Sequence, residues 1–126
     1  MAVHAELGAR RRPAPPGTLV VALEGEAYMD TAPVPARVLR RALAGRPLPG
    51  VLVVDCSGVT FCACDGLNEL LRARREAAEL GVAFRLAAPG EQLARLLEIT
   101  GTGTVLEVLP AASAVSALGV GVDGGV

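Results

Sequence analysis

Three cysteines, Cys56, Cys62 and Cys64, fall within nine residues and are the first place to look for chemistry. A structural zinc site needs about four ligands. The only histidine, His4, stands far away near the N-terminus. No metal site is therefore expected. A thiol at a helix start is a redox candidate, because helix N-termini favour the thiolate. The blander reading of Cys64, a small residue in a small-residue position, is the preferred one. Asp55 and Glu69 are the nearest thing to an acid/base pair, and nothing else supports an active site around them. With one histidine there is no Ser/His/Asp set. Gly101-Thr102-Gly103-Thr104 follows a predicted helix and precedes a predicted strand, the wrong order for a phosphate-cradling loop. The expectation is no catalytic residue, no cofactor and no enzyme.

The elements that position these residues alternate in type. Val51–Val54 is a β-branched run, as in a strand buried on both faces. A turn carrying Val59 and Phe61 should follow, with Cys56 at the strand end. Gly66–Leu80 reads as the clearest helix. Leu67, Leu70, Leu71 and Ala78 form its inner stripe, and Arg75 and Glu79 are spaced as a helical pair. Asp65 is a preferred N-cap type at its start. Thr18–Glu24 and Val82–Ala88 read as strands, and Pro33–Ala44 as an amphipathic helix. Glu91–Thr100 should be a helix with Leu93, Leu96, Leu97 and Thr100 inward. Val105–Leu109 should be a strand and Ala111–Leu118 a last, modest helix. Residues 1–17 are expected to be a loose segment with room for an edge strand over Val3–Leu7. Residues 18–118 form the domain, and 119–126 are a tail. Alternating strands and helices predict an α/β domain with a mixed, mostly parallel sheet of four or five strands and about four helices.

Composition narrows the function. The 126 residues suit one domain, and 52% are hydrophobic, enough for a core. The net charge is -1 and only two Phe and one Tyr are present, so neither an electrostatic nor a stacking platform for nucleic acid is expected. All twelve basic residues are arginine, which with abundant Ala, Gly, Val and Pro looks like a GC-rich coding bias, as in actinobacteria. The arginines at 37, 40 and 41 and at 72, 74 and 75 are read as solvated helix faces. No apolar run reaches the roughly 18 residues of a membrane span, and Pro13, Pro15 and Pro16 follow Arg10–Arg12 where a signal peptide would have its apolar stretch. An odd cysteine count without an export signal predicts reduced thiols in the cytoplasm.

The junction Phe61-Cys62-Ala63-Cys64-Asp65-Gly66-Leu67 resembles a motif of the bacterial anti-sigma-factor antagonists, members of the STAS domain family. There it reads Phe-x-Asp-Ser-(Ser/Thr)-Gly-Leu. Phe61, Gly66 and Leu67 match. Val53-Val54-Asp55, Gly25-Glu26 with Thr31-Ala32, Leu80-Gly81, Ala88-Pro89 and Leu96-Leu97-Glu98-Ile99-Thr100-Gly101 resemble other family segments in the same order, over about residues 18–118. The resemblance implies a STAS-like fold and a protein partner, a histidine-kinase-like anti-sigma factor, without nucleic acid or membrane insertion. It implies a docking surface of Tyr28, Asp30, Thr31, Cys62, Ala63, Cys64, Asp65, Gly66 and Asn68.

The departures are as informative. In the family, a serine kinase that is also the anti-sigma factor phosphorylates the first serine, and Cys64 holds that position. Ala63 replaces the preceding Asp, Asp65 replaces the second hydroxyl residue, and Tyr28 stands where the family often has an Asp. The phosphorylation switch is therefore expected to be lost while the fold is kept. Asp65 either imitates part of a phosphate's charge or caps the helix, the latter being preferred. The alternatives are an accessory or scaffold subunit of another complex, such as a transport system, and a redox-sensing interaction domain acting through Cys64.

Overall fold

Period-two burial in the Val/Leu-rich segments and helical periodicity between them are realised in one five-stranded sheet. The computed structural model describes residues 7–27 and 31–110. Strands β1 (Leu7–Arg12), β2 (Thr18–Ala27), β3 (Val51–Cys62), β4 (Ala83–Ala87) and β5 (Glu107–Leu109) lie side by side in chain order. β1 is antiparallel to β2, and every other pair is parallel. Helix α1 (Val34–Ala42) joins β2 to β3, α2 (Cys64–Glu79) joins β3 to β4, and α3 (Glu91–Thr100) with a 3-10 turn (Thr102–Thr104) joins β4 to β5. The described residues thus hold three α-helices. The fourth expected one, Ala111–Leu118, lies outside the described residues, as do Tyr28 and Asp30.

β3 is paired on both sides, as its β-branched run requires. Leu52, Val54 and Cys56 point to one face and join a single core with Val21, Leu23 and Leu86 of the sheet, Leu39 of α1, Leu67 and Leu70 of α2, and Leu93 and Leu97 of α3. Burying each such leucine contributes roughly 1.5–3 kcal/mol. Val53 points the other way and packs with Val20 and Ala87. The opposite face also holds Asp55, which is 1% exposed.

Several expected boundaries move, each for a local reason. Of the strand expected over Val3–Leu7 only Leu7 falls among the described residues; the observed edge strand is Leu7–Arg12. β3 does not stop at Ser57-Gly58 but runs on to Cys62, so Val59 and Phe61 belong to a strand rather than a turn. The apparent breaker is a bulge. Pairing passes from Ala22↔Asp55 to Glu24↔Gly58, and again from Gly25↔Val59 to Glu26↔Phe61, so β3 carries one extra residue each time. A Cβ on Gly58 would stand 3.0 Å from the Leu23 carbonyl oxygen and 2.8 Å from Glu24 Cγ, which is why glycine sits there. On α2 the inward small residues are Ala73 and Ala77, and Ala78 is exposed. Glu76 bonds Arg40 of α1 (Nη2–Oε2 2.7 Å), while the ion pair within α2 is Glu69–Arg72 at 3.7 Å rather than Arg75–Glu79. Thr100 is exposed, because its hydroxyl donates back to the Leu96 carbonyl at 2.7 Å. Val105 and Leu106 precede β5 because their N–H groups turn back to Thr102 O at 2.9 and 2.8 Å.

Candidate functional site

The thiols and the first turn of α2 meet at the corner where β3 becomes α2. The change of direction occurs at one residue, Ala63, in extended backbone (φ −95°, ψ 175°). The Ala63 N–H donates to Ala27 O at 3.0 Å, continuing the β2–β3 ladder, and the Ala63 carbonyl already accepts from Leu67 N–H at 2.9 Å as the helix begins. Ala63 is thus the N-cap. Asp65, expected there, lies in the first turn instead. Its Oδ1 accepts the Gly66 N–H at 2.9 Å, and its negative charge faces the positive end of the helix dipole.

Two features hold the corner down. A Cβ on Gly66 would approach Ala27 O to 2.3 Å, so the helix start seats directly on the β2 backbone only because residue 66 has no side chain. Gln92, in the first turn of α3, clamps Cys62. Its Oε1 accepts the Cys62 N–H at 2.8 Å and its Nε2 donates to Cys62 O at 2.7 Å. β4 pairs with β3 only as far as Asp55↔Ala87. The Gln92 amide therefore supplies backbone-like bonds where β3 has outrun its neighbour. The Thr31 hydroxyl donates to Glu26 O at 2.6 Å and the Thr60 hydroxyl to Gly25 O at 3.2 Å, fastening the neighbouring end of β2.

The expected docking residues separate into two groups. Cys64, Asp65 and Asn68 are exposed and Ala63 is half-buried, with Phe61 beside them 40% exposed. Thr31, Cys62 and Gly66 are buried and shape the corner from beneath. Gln92 was absent from the sequence reading. Its position two residues after Pro89-Gly90, with no inward apolar duty, was the available signal.

Burial keeps the two inner thiols of the corner neutral. Burial, reinforced by Cys62 and Asp55, pushes the Cys56 thiol up to about 12. Burial, with Asp65 and Cys64 nearby, pushes Cys62 up to about 11. Both are protonated at neutral pH. Among the described residues no three His, Cys, Asp or Glu side chains cluster to hold a metal. Asp55 binds Arg12 and Ser57, while Glu69 pairs with Arg72. Burial works against the Asp55 charge, but the Ser57 backbone N–H (2.9 Å to Oδ1), the Ser57 side chain and the Arg12 guanidinium from β1 more than offset this and lower its pKa.

A sheet of this order with a strand-to-helix corner ending in Gly-Leu defines a known domain class. The family model described as "Mlab, STAS domain" matches residues 10–110, and the chain belongs to the STAS domain family. Similar solved structures include an anti-sigma factor antagonist from Mycobacterium paratuberculosis, with TM-score 0.77, 23% identity, and coverage of 91% of this chain and 95% of that one. A sulfate transporter family protein from Wolinella succinogenes has TM-score 0.72 and 17% identity over 86% and 88% of the two chains. The anti-sigma factor antagonist SpoIIAA in its unphosphorylated form has TM-score 0.67 and 15% identity over 94% and 98%. These likenesses are of fold. No curated protein matches the chain. Among the described residues no helix is long and apolar enough to cross a membrane.

Proposed function

We propose that this chain is a non-enzymatic bacterial docking module of the cytoplasm. It binds a protein partner through the β3–α2 corner and has lost the covalent switch at that corner. The observation that carries this reading is Cys64. It is exposed at the first position of α2, on a corner held rigid by Gly66 and Gln92, where the antagonist motif it resembles has its phosphorylated serine. A rigid exposed corner is preorganised for docking. A thiol there offers a Ser/Thr kinase no ordinary acceptor, so binding is constitutive rather than switched. The partner favoured is a histidine-kinase-like anti-sigma factor, which makes the module a regulator of transcription. The likeness in fold to a protein of the sulfate transporter family supports one second reading, an accessory subunit of a transport complex.

The test is a pull-down with wild type and Cys64→Ser side by side. The expected result is recovery of a protein with a histidine-kinase-like ATPase fold by both baits, with ATP releasing it only from Cys64→Ser. Recovery of a membrane transport subunit instead favours the second reading. Phosphate appearing on any wild-type residue from Phe61 to Leu67 in the presence of kinase and ATP overturns the loss of the switch.

A further inference from the structure

Away from the corner, the β1 side of the sheet carries a feature the docking role does not use. β1 is the outermost strand, and among the described residues nothing pairs with its outer edge. Its three arginines have different fates. Arg10 and Arg12 are directed by the register to the face away from the helices, where Arg10 meets Glu24 at 3.4 Å and Arg12 binds Asp55. Arg11, paired in register with the core residue Val21, points to the helix side. There it borders a groove of about 310 Å³ between β1 and α1, floored by Val21, Val38 and Ala42 and flanked by Arg41. Arg11 and Ala42 also border the next groove, about 420 Å³, which continues past Leu19 and Leu48 to Arg46. Among the described residues neither Arg11 nor Arg41 has a carboxylate partner. Arg46 donates to the Gly45 carbonyl at 3.0 Å.

We propose that this continuous groove is a second docking site, which takes an extended acidic peptide segment of a partner protein as a sixth strand on β1. Its glutamate or aspartate side chains, recurring at every second position, would sit on the helix side between Arg11 and Arg41 and toward Arg46, with the intervening side chains turned to the opposite face. An open strand edge supplies backbone hydrogen bonds, and side chains on one face of an added strand recur every second residue, so the two demands fit one ligand. Charge selects among occupants. A second copy pairing antiparallel through β1 would set the Arg10–Arg12 runs against each other, which like-charge repulsion disfavours. Nucleic acid would want aromatic stacking surfaces, and the groove floor is aliphatic. A membrane would want large apolar side chains to insert. The exposed ones, Phe61, Leu80, Ile99, Val105 and Val108, all lie off β1 and α1.

The probe is a capped, fluorescently labelled decapeptide of alternating glutamate and valine, titrated by anisotropy onto the full chain at low salt. Binding should exceed that of the lysine–valine peptide and fall as salt rises. It should vanish when the glutamate peptide is N-methylated at alternate residues, which removes strand pairing. Arg11→Glu with Arg41→Glu should weaken it about tenfold or more, and Arg95→Glu on α3 should leave it unchanged. Should the double reversal fail to fold by circular dichroism, Arg11→Gln with Arg41→Gln reads the same loss with less perturbation. Equal binding of both peptides, or binding indifferent to Arg11 and Arg41, overturns the proposal and leaves the arginines as guards of the sheet edge. So does groove-dependent binding of duplex DNA or anionic phospholipid vesicles in place of the peptide.

Discussion

The two halves of β3 do opposite work with similar residues. From Val51 to Asp55 the strand is paired in regular register on both sides, and Leu52, Val53, Val54 and Asp55 are each at most 1% exposed. From Cys56 to Cys62 it is bulged twice, has lost its β4 partner, and surfaces at Ser57, Thr60 and Phe61. The first half is built by apolar burial. The second is built by particular contacts: a glycine where two strands crowd, another where a helix meets a backbone, and one glutamine amide standing in for a missing strand. Stability should therefore reside in the first half and the geometry of the site in the second.

Truncation tests that division most severely. Leu52→Ala should cost about 3–5 kcal/mol in urea unfolding, because the vacated space is fully enclosed. Val59→Ala, in the second half and only half-buried, should cost about 1 kcal/mol. Comparable losses at the two sites would break the comparison. Gly66→Ala comes next. A Cβ at 2.3 Å from a backbone oxygen forces the start of α2 off β2, which should cost about 2–3 kcal/mol and weaken partner binding together with stability.

Alkaline pH gives a smaller effect on the second half. The thiols of Cys56 and Cys62 titrate higher when folded than unfolded. Their contribution is complete below the unfolded thiol range and is lost as pH rises through it toward about 11–12. Between about pH 8 and 10 the unfolding free energy from urea titration should fall by on the order of 1 kcal/mol per thiol, and Cys56→Ala with Cys62→Ala should flatten the slope. The first half answers to acid instead. The Asp55 pKa is lowered on folding, so its contribution is present above the unfolded carboxylate range and is lost as pH falls through the folded value. Asp55→Asn should remove that acid limb and leave the alkaline one.

The smallest stability effect belongs to the exposed residues. Asp65→Ser should change stability by no more than about 0.5 kcal/mol, since one carboxylate near a helix start is worth little when solvated. Its effect on partner affinity is the sharper reading. Unchanged affinity, measured by calorimetry, fits a carboxylate that only steadies the helix, whereas tighter binding would mark Asp65 as an imitation of phosphate.

The asymmetry of β3 also explains what the sequence revealed. Burial patterns are periodic and local, so Val51–Val54, α1, α2, α3 and the five-strand mixed sheet were legible from apolar spacing and the glycines between elements. The bulged half was not. Ser57-Gly58 is written like a turn, and only the close approach of Glu24 and Leu23 shows that the glycine keeps a strand together. Gln92 was hidden for the same reason, since a side-chain amide replacing a strand leaves no periodic trace. The exposed position of Cys64 was legible because it sits where a motif of fixed order places it. Thr31 and Gly66 were expected at the surface and are buried, because a motif records which residues matter at a corner and not which side of it they serve.

Cys64 itself offers the most direct test of the central claim. It is the exposed thiol among the three, while Cys56 and Cys62 are buried and protonated at neutral pH, so a maleimide photo-crosslinker should attach at residue 64. Illumination in cell extract, followed by mass spectrometry of the adduct, reads what touches the start of α2. The account predicts one dominant adduct, a protein with a histidine-kinase-like ATPase fold, competed away by unlabelled wild type but not by Gly66→Ala. Absence of any competed protein adduct at Cys64 would contradict it.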